Sequence, residues 1–385
     1  CIYRRGGADG SRGHYNSAGS TVVGRDMQPP RHVESGESSG AEPRTPSTRY
    51  YGSKYKLLDW IWSHLSGLDF QTVLDVFGGS GCVSHMLKRR GKQVTCNDIL
   101  HCNYLSALAL IENSHVRLSP ATIHRLTRPH PGRRYDTFIA RTFHGIYFLP
   151  EEDRWLDVVA QNIAVMKNRY AAALAYHALF QSAVVKRPYN LFHRRNLYMR
   201  TAKVPRGFGN KTTWDRPFED HFRRFAAEAN AAVFDNGTPC RATQLDALEV
   251  PGAFDLVYID PPYINARGVG VDYHGFYHFL EGLADYTYWH RRIDHGSKHR
   301  RLRPVPSPWT NPKQVRGVLR QLLERFADST LVMSYRSDGV PSRDELIAEM
   351  KRVKPSVRVY EPPRRYQYVL STNRRSTELL LVGID

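Results

Sequence analysis

The apolar run Phe254-Asp255-Leu256-Val257-Tyr258-Ile259 stops at Asp260-Pro261-Pro262-Tyr263, and no other junction constrains the chain as much. Consecutive apolar residues bounded by a turn read as a buried strand. Two successive prolines then hold the turn stiff, so a carboxylate, a backbone carbonyl and an aromatic ring should project from the strand end. Taken alone, the tetrapeptide also fits an ordinary proline-rich strand cap. The neighbouring segments decide between the two.

A second strand end carries glycines. Val73-Leu74-Asp75-Val76-Phe77 runs into Gly78-Gly79-Ser80-Gly81, then into a helical stretch from Cys82 that stops at Gly91. Residues without Cβ let a backbone approach a nucleotide-type ligand closely. The spacing is neither Gly-x-Gly-x-x-Gly nor that of a phosphate-binding P-loop. Gln93 to Asp98 then reads as another short strand, and Asp98 lies about 20 residues beyond the glycine turn, where an acid accepts hydrogen bonds from ribose hydroxyls. Glycine turn and acid together favour an adenosine-bearing ligand.

The C-terminal third alternates helices with strands. Val315, Val318, Leu319, Leu322, Leu323 and Phe326 keep helical spacing after Asn311-Pro312, and Thr330 to Tyr335 reads as a strand. Ser342 and Glu345 form a capping box for a helix from Glu345 to Met350. Strands follow at Val357 to Tyr360 and Thr377 to Gly383. Such alternation implies a doubly wound, mostly parallel α/β sheet with its ligand at the carboxyl ends of the strands. The pattern is interrupted between Asp98 and Asp246, where residues 161–181 are alanine-rich and helical.

The formal charge is +18. Residues 1–48 read as a disordered leader, rich in Gly, Ser, Arg and Pro; their six arginines and five acids leave nearly all of the excess to the rest of the chain. Residues 186–216 hold nine basic residues (Lys186, Arg187, Arg194, Arg195, Arg200, Lys203, Arg206, Lys211, Arg216) against Asp215 alone, interleaved with Tyr189, Phe192, Tyr198, Phe208 and Trp214. A second basic stretch starts at Arg291-Arg292 and runs to Arg301. Both read as nucleic-acid contacts, with cations on phosphates and a subset of side chains on base edges. Five scattered cysteines without Cys-x-x-Cys pairing suggest reduced thiols and neither a zinc site nor a disulfide framework. No membrane-length apolar stretch or signal-peptide core is present, which points to a cytoplasmic protein.

Four motifs in order, Tyr50-Tyr51-Gly52-Ser53-Lys54, Asp75 to Gly81, Asp98 and Asp260 to Tyr263, resemble those of the Dam-like D12 class of adenine-N6 DNA methyltransferases. The resemblance spans residues 49–385 and implies S-adenosylmethionine as methyl donor. It places Tyr51, Gly52 and Lys54 around the donor's methionine end, Asp75 near its amino group, Phe77, Gly78, Gly79 and Gly81 along it, and Asp98 on its ribose. Asp246 occupies the position of an Asp-Phe pair that meets the donor's adenine, but Ala247 stands where the Phe belongs. The same motif order implies an S-adenosylmethionine-dependent methyltransferase fold with an antiparallel edge hairpin. Its catalytic domain would be formed by 49–102 and 236–385, and its largely helical target-recognition insertion by 103–235.

The chemistry fits. Adenine's exocyclic amine is a poor nucleophile because its lone pair is delocalised, and two acceptors on its hydrogens draw that pair out of the ring plane. Asp260 and the Pro261 carbonyl supply two acceptors, Pro262 stiffens the turn, and Tyr263 offers a ring for stacking. An ordinary aspartate is too weak a base to deprotonate an amine, so its work is orientation and charge stabilisation. The target adenine must leave the duplex to reach the donor, and a cognate restriction endonuclease is a natural partner. RNA adenine, cytosine N4 and an inactive DNA-binding module are the competing readings. Residues 270–283, rich in aromatics and His, could clamp the everted base or form a packed lid helix. His274 and His278 have ligand spacing without the carboxylate of a zinc motif, so no metal is assigned.

Overall fold

A computed structural model describes residues 44–46, 48–202, 211–363 and 376–385. The 1–48 leader therefore lies almost wholly outside the described residues, as do Lys203, Arg206 and Phe208.

The apolar runs become strands β1 (Thr72–Asp75), β2 (Gln93–Asn97), β3 (Arg241–Thr243), β4 (Leu256–Ile259), β5 (Thr330–Arg336), β6 (Ser356–Tyr360) and β7 (Glu378–Ile384) of one sheet, ordered β3-β2-β1-β4-β5-β7-β6. The first five pair in parallel. β7 runs antiparallel to both β5 and β6, as the edge-hairpin expectation requires.

Side chains alternate across a strand, and here both alternations are apolar. Val73, Val94, Leu256 and Tyr258 join the core on one face, while Leu74, Val257, Ile259, Leu331 and Met333 join that on the other. A sheet buried on both faces needs helices on both. The chain reverses its strand order between β1 and β4, which opens a crevice at their carboxyl ends.

Within 103–235 the longer helices are Pro150–Ala164, Arg169–Val185 and Phe218–Ala232. The alanine-rich stretch is not one helix. Asn168 accepts from the backbone N–H groups of Tyr170 and Ala171 at 3.1 and 3.0 Å, so it caps a new helix in the middle of the stretch. Small side chains then let Arg169–Val185 pack closely on His101–Ala107 and Phe218–Ala232. Farther on, Ser342 and Glu345 form the expected capping box, which starts the helix at Arg343, two residues before the expected Glu345. The helix after Asn311-Pro312 begins at Val315, preceded by the 3-10 turn Pro308–Thr310. Residues 270–283 form mainly the helix Tyr273–Ala284, begun by Asp272, whose carboxylate accepts from Gly275 N–H at 2.8 Å.

Candidate active site

Asp75, Asp98 and Asp260 end or follow three neighbouring parallel strands and line one cavity. Gly52, Lys54, Phe77, Gly78, Gly79, Asp246 and Pro262 line it too. The glycine turn is shaped by close approach: a Cβ on Gly78 would stand 2.4 Å from Cys96 Sγ, and Gly79 and Gly81 have φ of +53° and +71°. Gly81 caps the helix Cys82–Arg89 instead of lining the cavity.

Each carboxylate has a different environment. Asp75 is buried and accepts from Ser84 Oγ at 2.6 Å through Oδ2, whereas Oδ1 is buried with no hydrogen-bond partner. Burial, opposed by the Ser84 bond and reinforced by the charges of Asp260 and Asp98, pushes its pKa up to about 7. Asp98 accepts from Gly79 N–H (2.8 Å), Asn103 Nδ2 (3.0 Å) and Leu100 N–H (2.8 Å), and burial still raises it to about 6. Asp260 is 18% exposed; its Oδ2 meets Lys54 Nζ at 2.8 Å and its Oδ1 accepts from Tyr263 Oη at 2.8 Å.

Two expected roles change. Tyr263 is buried, packs on Tyr335 with ring centroids 4.9 Å apart, and carries the Lys54 ammonium 4.8 Å from its centroid. Its ring is buried rather than presented to a base, and its phenol donates to the carboxylates of Asp260 and Glu378. Tyr51 likewise does not line the cavity: its N–H donates to Tyr277 Oη at 2.7 Å and its ring meets Phe276. Tyr50 takes that place, its ring near-parallel to those of Tyr273 and Tyr277 at 5.6 and 4.7 Å between centroids.

Sequence reasoning missed Trp309. It lines the cavity beside Phe77, ring centroids 4.8 Å apart and nearly perpendicular, while the neighbouring Ala247 supplies no ring. It comes from a loop with no periodic signal, so only its being a Trp after Ser307-Pro308 could have marked it.

Residues 50–316 match the D12 class N6 adenine-specific DNA methyltransferases. The chain is 31% identical over 349 residues to the type II methyltransferase M2.HphI of Haemophilus parahaemolyticus, covering 88% of this chain and 98% of that protein. It belongs to the D12 class of DNA methyltransferases. The modification methylase StsI of Streptococcus sanguinis is 26% identical over 86% of the chain and 51% of its own length, and M.FokI of Planomicrobium okeanokoites 24% over the same shares. The family's target is adenine N6 in DNA, which sets aside the RNA, cytosine-N4 and inactive-module readings.

In this methyltransferase the expected nucleic-acid residues divide sharply. Lys186, Arg187 and Arg200 are interior. Lys186 and Arg200 pair with Glu152 at 2.7 and 2.8 Å, and Arg200 also donates to Trp214 O. Arg187 donates to the carbonyls of Tyr147, Leu191 and Arg194 and to the Asn196 side chain, with the Tyr147 ring 4.3 Å away. These three are corrected from duplex contacts to structural ones; of the interleaved aromatics, Phe192 and Trp214 are buried beside them, whereas Tyr189 and Tyr198 are exposed. Arg194, Arg195, Lys211 and Arg291 are exposed, Lys211 paired with Asp215. Arg292 is half-buried beside Asp285 and Glu281.

Both basic segments border the helix Tyr273–Ala284. Phe192 N–H donates to Phe276 O at 3.0 Å, and Tyr147 Oη lies 2.6 Å from Phe192 O and 3.0 Å from His299 O. His278, wholly buried there, faces Tyr147 Oη at 2.8 Å through Nε2. Among the described residues no three His, Cys, Asp or Glu converge on a metal site, and no helix is long and apolar enough to cross a membrane.

Proposed function

We propose that the chain transfers a methyl group from S-adenosylmethionine to N6 of an everted adenine at a specific site in double-stranded DNA, with Asp260, Pro261, Pro262 and Tyr263 as the catalytic turn. The observation that carries this reading is the shared cavity, which Asp260, the glycine turn and the carboxylates of Asp75 and Asp98 all line. The residues fit the donor. Asp75 Oδ1, buried without a partner, suits an ammonium; Asp98 suits ribose hydroxyls; and the bare Gly78 backbone allows close approach. When bound, S-adenosylmethionine supplies an electrophilic methyl carbon on its sulfonium.

The protein does the rest by placement. Asp260 and the Pro261 carbonyl would accept hydrogen bonds from the two N–H groups of the target amine, turning its lone pair toward the donor. As the new N–C bond forms, the nitrogen gives up one of those protons and S-adenosylhomocysteine departs. Lys54 and Tyr263 hold Asp260 from behind, so its orientation is set before the base arrives. Tyr263 thus serves as a hydrogen-bonding anchor of the turn. Phe77 and Trp309 wall the donor's adenine beside Asp246. Eversion costs about a few kcal/mol of stacking, offset by contacts from 103–235, which we read as the recognition insertion, and by the exposed cations Arg194, Arg195 and Arg291 with the half-buried Arg292. A cytoplasmic location and a cognate nuclease accompany this reading. Mass spectrometry of nucleosides from DNA and RNA incubated with the protein and isotopically labelled S-adenosylmethionine tests it: labelled N6-methyladenine in DNA is expected, and its absence would overturn the reading.

A further inference from the structure

Glu378 opens β7, the strand inserted antiparallel between β5 and β6, and is wholly buried. Its Oε1 accepts from Tyr263 Oη at 2.6 Å and lies 3.4 Å from Lys54 Nζ. The same two groups reach Asp260: Tyr263 Oη at 2.8 Å from Oδ1, and Lys54 Nζ at 2.8 Å from Oδ2. Two carboxylates, from the last strand and from the end of β4, are therefore bridged twice.

We infer that Glu378 is a positioning residue for methyl transfer, acting on Asp260 through Lys54 and Tyr263. The inference rests on the reading of Asp260 as the acceptor for the target amine. A carboxylate at a strand end turns about two side-chain torsions, and a productive acceptor has to be held within about 0.5 Å. Different donors on its two oxygens fix the plane of the Asp260 carboxylate, and each oxygen keeps a lone pair for the amine.

Glu378 governs how strongly those donors act. It shares the Lys54 charge, so less of that charge falls on Asp260, where it would weaken the carboxylate as an acceptor. The phenol of Tyr263 has one hydrogen for two carboxylates, so Glu378 also competes for it and keeps Asp260 from being saturated by its own neighbours. A carboxylate that only neutralised a buried lysine would affect folding; this one should affect turnover.

The test is kinetics on the full chain with Glu378→Gln, which keeps the side chain's size but removes its charge, and with Tyr263→Phe, which removes only the connecting hydroxyl. Each should lower kcat about 10- to 100-fold, the range of a hydrogen bond to a charged group. Dissociation constants for S-adenosylmethionine and for DNA should stay within about three-fold, with melting temperature held, since only the reacting geometry changes. The double variant should fall little below the worse single one, because both act on one network. Wild-type kcat in Glu378→Gln, losses that multiply in the double variant, or a loss confined to binding or melting would each overturn the inference. Asp260→Ala run alongside separates the two claims. If it remains active, the reading of Asp260 fails; if it is inactive while Glu378→Gln is wild type, only the role of Glu378 fails.

Discussion

Lys54 Nζ stands 2.8 Å from Asp260 Oδ2, joining the Tyr-Gly-Ser-Lys segment that precedes the first strand to the carboxylate at the end of β4. Lys54 is 4% exposed, and its Nζ is also 3.3 Å from Gly52 O. A charge so buried persists only when paired, and its partners Asp260 and Glu378 tie the N-terminal motif to the catalytic turn. This explains how a lysine grouped with the donor's methionine end also shapes the reacting carboxylate.

Asp260→Ala should abolish methyl transfer while leaving S-adenosylmethionine affinity within a few-fold, because the carboxylate is assigned to the base. Single-turnover assays with calorimetry on the same preparation check this. A fall in donor affinity as large as the fall in rate would move Asp260 into the donor site.

Asp75 gives the donor site a pH dependence. With its pKa near 7 in the free protein, it is largely protonated at pH 6 and ionised at pH 8. A donor ammonium binds the ionised form, so affinity should rise with pH through about 7. Asp75→Asn should bind weakly and lose that rise. Titration calorimetry at pH 6, 7 and 8 decides it; parallel profiles for the two proteins would remove Asp75 from ammonium binding.

Asp153, in the first turn of Pro150–Ala164, is buried with neither carboxyl oxygen hydrogen-bonded. Burial, with Asp157 and Glu152 nearby, raises its pKa from 3.8 to about 9. Between those values the unfolded chain has released its proton and the folded chain has not, so stability falls as pH rises through the window. Below about pH 4 both states hold the proton and the penalty is absent. Asp153→Asn should therefore gain stability over wild type progressively from about pH 4 to 9, read as the difference in urea midpoints. A difference independent of pH would show that the carboxyl ionises normally.

Trp309→Ala should weaken S-adenosylmethionine binding about 5- to 10-fold, the scale of an aromatic contact beyond its buried area, with kcat at saturating donor little changed. Ala247→Phe in that background should restore part of the loss if both positions face the donor's adenine. Donor affinity unaffected by Trp309→Ala would leave the Phe77–Trp309 pair as core packing alone.

The strands and their carboxylates were legible because a strand covered on both faces must be apolar throughout, and polar residues at its carboxyl end then stand out. Asp260 was found that way, whereas Asp98 was marked by its distance beyond the glycine turn and Asp75 by the family resemblance. Glu378 was not found, since Thr377-Glu378 reads as the polar start of a terminal strand; its meaning depends on β7 inserting beside β5, a pairing that local pattern does not encode. The basic segment was misread for a related reason. Composition reports that Arg187 and Phe192 are near in sequence, but not whether the rings enclose the guanidinium or stand beside it in solvent.

That division of the basic segment makes the duplex surface testable. Arg194→Ala with Arg195→Ala should weaken DNA binding and reduce the slope of log affinity against log salt by about 0.9 for each phosphate that is no longer neutralised, with donor binding and melting temperature unchanged. Arg200→Ala should do the opposite. Its guanidinium holds Glu152 with two 2.8 Å bonds, and removing it leaves a buried carboxylate with Lys186 as its remaining cation among the described residues, a change that typically costs about 3–5 kcal/mol. The melting temperature of Arg200→Ala should fall, and whatever DNA binding the folded fraction retains should keep the wild-type salt slope. Fluorescence anisotropy across a salt series, paired with thermal melts, separates the two classes. If the double variant kept wild-type affinity and slope, the duplex contacts would be assigned to the exposed cations around Arg291.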